Sequence, residues 1–304
     1  MSIQWSTTSS GSWDEKYPQL KPGNRGLPST SLTEPIVYPE NPGDTYIMKP
    51  VSHSWADVSE MILHCVHSSS QDIESHPIHN QLYQSIGFDQ DLSTVLVKFM
   101  EIYNVLFFGG MVKSSVVENS ADDEYEIIFN LELVSNGTRA EKVELYNDLG
   151  LTTGSLDGRS NSVTIYIRDG RILQPNWDFC QVISEMLGTL AHEMIRAMQF
   201  MYTKCPGCGL GIEYAMHGTN FQKVAQAIEQ ATRDPSGGKG WIYPKIELGR
   251  EWGVYYDIKE FEYKEPTDME IRNMRFDVEY LRKILRLPYN PRRVGSIDQP
   301  SDFN

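Results

Sequence analysis

Residues 178–202 constrain the fold more than any other part of this chain. Ile183, Met186, Leu187, Leu190, Met194, Ala197 and Met201 recur at helical intervals and form one apolar stripe. A helix of that length needs a sheet or other helices to cover the stripe. The same stretch carries His192 and Glu193, with Arg196 three residues further on. In the pattern His-Glu-x-x-His, two metal ligands stand one turn apart on a shared face, with a carboxylate beside them. Here Arg196 occupies the position of the second histidine.

The surrounding sequence predicts an α+β chain. Residues 1–50 hold seven of the sixteen prolines among many Ser, Thr and Gly, and read as a disordered arm. Apolar spacing predicts helices over 52–67 and from about 92 to 108, the second stopped by Gly109 and Gly110. "EYEIIFNLELV" (124–134) and "NSVTIYIRD" (161–169) read as strands, the latter with Val163, Ile165 and Ile167 on one face. Gly150, Gly154 and Gly158 punctuate the approach to that second strand. Thr219 with Gln222 fits a capping box, so His217 lies just before a helix start. "PSGGKG" marks a boundary, which divides the chain into 1–50, a domain over 51–235, and an extension over 236–304. That extension reads as aromatic strand-like pieces and one helix, 267–285.

Net charge of −14 disfavours broad attraction to nucleic acid and leaves no strong intrinsic nucleic-acid signal. The charge is uneven: nine acids against two bases over 118–148, and five bases without an acid over 280–297. The basic stretch reads first as a solvated helix end and tail, and second as a contact for a partner. No run approaches the roughly 18 apolar residues of a membrane span. "MSIQWSTTSSGSW" lacks the pattern of a signal peptide. The expected location is therefore intracellular, nuclear or cytoplasmic. Four cysteines in such a chain suggest free thiols or metal ligands rather than disulfides.

Order and context give the His-Glu pair its meaning. "YNVLFFGGMV" ends one helix, strands follow, "SEMLGTLAHEMIRA" comes next, and "HGTNFQ" stands 25 residues after His192. Over about 92–231 this arrangement resembles the SprT-like (Spartan-type) zinc metallopeptidase family. The resemblance implies a zincin-like domain with a small antiparallel sheet, its edge strand ending just before the active-site helix. It further implies His192 and His217 as zinc ligands, Glu193 as the general base, and hydrolysis of DNA-associated proteins.

Arg196 departs from that pattern. A guanidinium offers no lone pair to a metal, and at an effective dielectric near 20 a divalent ion facing it could cost roughly 8 kcal/mol. Arg196 also stands at pairing distance from Glu193 along a helix, where a salt bridge would blunt the base. The sequence thus predicts the fold of a metallopeptidase with weakened or absent zinc and impaired catalysis. A non-catalytic module binding protein or nucleic acid is one alternative. A structural zinc site on Cys205 and Cys208, with His217 and Cys180 in reach, is another. The histidines clustered over 53–79 read as helix-face or surface residues, ahead of any role in filling the vacant ligand position.

Overall fold

The computed structural model describes residues 33–38, 46, 48–71, 91–118, 124–134, 149–156, 160–173, 175–204, 215–232, 246–260 and 263–287. Among them are eight helices and one four-stranded sheet, an α+β arrangement. In chain order they are α1 (Trp55–Gln71), α2 (Leu92–Phe107), β1 (Ser115–Glu118), β2 (Glu124–Val134), β3 (Gly150–Leu156), β4 (Ser160–Arg168), α3 (Gly170–Leu173), α4 (Phe179–Tyr202), α5 (Thr219–Ala231), α6 (Arg250–Glu260), α7 (Asp268–Asn273) and α8 (Val278–Leu285).

Local chemistry sets the helix ends. Asp91 caps α2 by accepting from Thr94 N, and Gly109 and Gly110 take positive φ just beyond its end. Asp178 and Gln181 form a reciprocal capping box at the start of α4. The box expected at Thr219 and Gln222 is absent. Gly218 is the N-cap of α5 and gives no side-chain cap bond, while Gln222 turns its amide to His217 O and Arg250 O.

Helix α4 is the centre of the molecule. β3 and β4 pack against it, as do α1, α2 and α5. Contact from these elements explains why every residue from Met186 to Tyr202 is buried, the polar ones included. β4 alternates as its period of two requires, with Val163, Ile165 and Ile167 fully buried.

The sheet corrects one expectation. It is mixed rather than antiparallel, in the order β1-β2-β4-β3. β2 runs parallel to β4, while β1 and β3 are antiparallel to their neighbours. The reason is β3, which the glycines of 150–154 concealed. An extra strand between two recognised ones adds a chain reversal and so inverts their relative direction. It also makes β3 an edge and puts β4 inside the sheet. A Cβ on Gly150 would come within 2.6 Å of Thr189 Cγ2 and 2.9 Å of Glu193 Cγ, so glycine is what lets β3 lie directly on α4.

Two other readings change. Tyr46 and Met48, within the segment read as a disordered arm, are buried in the main core. The extension contains α6 where strand-like pieces were expected, and its last helix is two, α7 and α8, separated at Met274–Asp277. These helices share a second core built on Val254, Tyr255, Ile258, Ile271 and Leu281. No described helix is long and apolar enough to cross a membrane.

Candidate functional site

The structure brings His192, Glu193, Arg196 and His217 together beneath the surface. The first three lie within little more than one turn of α4, and His217 sits in the turn that opens α5. None is more than 2% exposed.

The two imidazoles face each other, with His192 Nε2 3.0 Å from His217 Nε2. Their other nitrogens are both committed to oxygen acceptors. His192 Nδ1 lies 2.8 Å from Leu248 O, and His217 Nδ1 lies 2.9 Å from Asp257 Oδ1. A carbonyl and an ionised carboxylate only accept, so both rings carry hydrogen on Nδ1 and, when neutral, turn lone pairs toward one another. Burial pushes both histidines below their usual range. The His217 and Arg196 charges push His192 further down, while Asp257 partly counters the fall at His217. Phe221 packs against both rings, tilted on His192 and edge-to-face with His217, at 4.6 and 4.9 Å between centroids.

Parts of this centre come from the extension. Asp257 on α6 clamps His217 twice, since its second oxygen accepts from His217 N at 2.6 Å. Leu248 is itself held by Glu229 Oε1, which accepts from Leu248 N at 2.9 Å. Two glycines permit the approach. A Cβ on Gly188 would stand 2.2 Å from Glu247 O, and one on Gly253 would stand 2.7 Å from the His217 ring. Residues 246–260 thus close over the motif.

Glu193 and Arg196 do not behave as their helical spacing suggests. The Glu193 carboxylate accepts from Thr152 Oγ1 on β3 at 2.7 Å. Arg196 turns its hydrogen bonds elsewhere, to Gln199 Oε1 and, at 3.0 Å, to Met216 O. Its Nε has no hydrogen-bond partner among the described residues. Burial lowers its pKa to about 10, opposed by the charges of Asp257, Glu193 and Tyr263, so the guanidinium stays charged at neutral pH.

Two imidazoles converging through Nε2, each steadied at Nδ1 by an oxygen, match the way proteins hold a metal ion. A catalytic zinc takes three protein donors and keeps one open position. Among the described residues no third His, Cys, Asp or Glu joins the pair. Asp257 is engaged with His217, and the third position holds a guanidinium. The described residues therefore do not fit a catalytic zinc.

The other candidates lie apart. Cys205 and Cys208 fall outside the described residues, as do His76 and His79. Cys180 is exposed on the first turn of α4, twelve residues from His192 and so about 18 Å away along the axis. His53 bonds to Glu34 O and Lys49 N, and His64 to Tyr46, so neither turns toward the centre. In the basic stretch, Arg282 is used within the chain, by Pro266 O, Asp268 and Glu265. Asp257, Leu248, Thr152 and Gln199 went unread in the sequence. Only Asp257 carried a signal there, as an acid set between Val254 and Ile258 on one helical face.

Comparison with family models, with curated proteins and with solved structures returns no match to this chain.

Proposed function

We propose that this chain is a SprT-like, zincin-type domain that has exchanged its metal for an internal arginine and binds protein partners without cleaving them. The observation that carries the reading is the burial of Arg196 at the third ligand position, with its guanidinium bonded to Gln199 and Met216 O. Peptide hydrolysis needs an activated water and room for a scissile carbonyl beside it. Here Glu193 is fully buried and bonded to Thr152, and 246–260 covers the histidines. Partners associated with DNA, and a nuclear location, follow from the family resemblance.

The test is metal analysis and proteolysis on wild type beside Arg196→His. Wild type should carry no stoichiometric zinc at this centre and cleave no unfolded protein substrate. Arg196→His should gain zinc. Chelator-sensitive cleavage by wild type that disappears in Glu193→Gln would overturn the proposal. The facing Nε2 atoms favour a second reading, residual metal binding at His192 and His217 alone. It predicts zinc that is lost in His217→Ala. A structural zinc on Cys205 and Cys208 would instead be lost in Cys205→Ser.

A further inference from the structure

An open groove of about 640 Å³ lies between α1, α5 and the end of α7 with the turn that follows it. Lys223, Arg272 and Arg275 line it together with the amides of Gln226, Gln230 and Asn273, and among the described residues no acid does. None of the three cations has a carboxylate within salt-bridge distance among the described residues. Three cations on one groove, without a carboxylate partner among the described residues, stand out in a chain of net charge −14. Thr219, the first residue of α5, also reaches the groove, and Gly218 leaves that helix end without a side-chain cap. The positive end of the helix adds to the same field.

We propose that this groove binds an acidic segment of a partner protein in extended conformation. From Thr219 to Gln230 the groove wall follows α5 for about 16 Å. An extended chain covers that in about five residues. Carboxylates would pair with Lys223, Arg272 and Arg275. The amides both donate and accept, and so match peptide N–H and C=O groups. A phosphodiester backbone offers acceptors only, and among the described residues His67 is the one ring lining the groove, with no Phe, Tyr or Trp to stack a run of bases. The proposal deepens the binding-module reading and rests on it, but its residues are separate from the buried centre, so the two can fail independently.

The experiment is fluorescence anisotropy with a labelled dodecapeptide of alternating glutamate and serine. The full chain should bind it, with affinity falling as salt rises. Combining Lys223→Glu, Arg272→Glu and Arg275→Glu should weaken binding at least about tenfold, since three screened charge pairs are reversed. Single alanine variants, each expected to weaken binding about threefold, keep the test in force if the triple reversal unfolds the domain. The matching lysine–serine peptide should not bind. Equal binding by the variants, or none by wild type, overturns the proposal. So does a single-stranded 12-mer DNA that binds more tightly and displaces the peptide. Failure to bind in a protein that also lacks zinc and peptidase activity leaves the non-hydrolysing reading standing.

Discussion

Replacing Arg196 by methionine separates a structural cation from a tolerated accident. The guanidinium is 2% exposed, donates to Gln199 Oε1 and Met216 O, and is the cation acting on Asp257 and Glu193. Removing one member of a buried charged set costs about 3–5 kcal/mol, because its partners stay behind uncompensated. Against that, methionine removes a buried Nε that has no acceptor, worth about 1–3 kcal/mol. The difference is about 2 kcal/mol of lost stability. For a domain of this size that lowers Tm by about 4–8 °C. Differential scanning calorimetry or urea denaturation with an unchanged m-value would measure it. If Arg196 only burdens the core, methionine of similar length raises Tm, as apolar replacement of buried ion pairs often does. An unchanged or higher Tm would refute the assignment of Arg196 as the internal cation.

Other outcomes follow from the same geometry. Gly188→Ala should lower stability by about 1–3 kcal/mol, because its Cβ meets Glu247 O at 2.2 Å and no flexible side chain can yield; an unshifted melting curve would contradict this. Glu185 has its pKa raised to about 7, first by burial and then by Glu247. The folded state therefore holds a proton that the unfolded state releases near 4.5, so stability falls as pH rises from about 4.5 to 7. Glu185→Gln should flatten that part of the stability–pH curve, and an identical slope in both proteins would exclude Glu185 as its source.

The legible parts of the fold were those where local pattern and burial agree. α4 met its expected span because seven apolar residues share one stripe, and β2 and β4 because their residues suit half-buried strands. β3 was missed because Gly150 and Gly154 serve close packing on α4 and suppress the strand signal. α6 was misread because Trp252, Tyr255 and Tyr256 suggest a strand, whereas packing against the His217 turn sets the helix. Local sequence brought His192, Glu193 and Arg196 together, since one helix carries them. It could not reveal Leu248 or Asp257, whose contacts span 56 and 40 residues and depend on tertiary packing alone. The direct Arg196–Glu193 salt bridge does not form for the same reason, because Thr152 and Met216 supply hydrogen-bond partners from other elements, although the Glu193 charge still acts on the guanidinium.

The closure of 246–260 over the histidines has a consequence for how the chain acquires its structure. While it is being made, α4 and α5 can be complete before Leu248 and Asp257 exist to receive the His192 and His217 N–H groups. Until then His192 on the most buried helix and His217 at the start of α5 lack the acceptors for their Nδ1 hydrogens. Docking of α6 is therefore a late, long-range step that commits the core, and contacts so distant in sequence are the slow ones to form. A chain ended at the apparent boundary near 235 would be held at that stage, with its central helix formed and its centre open to water.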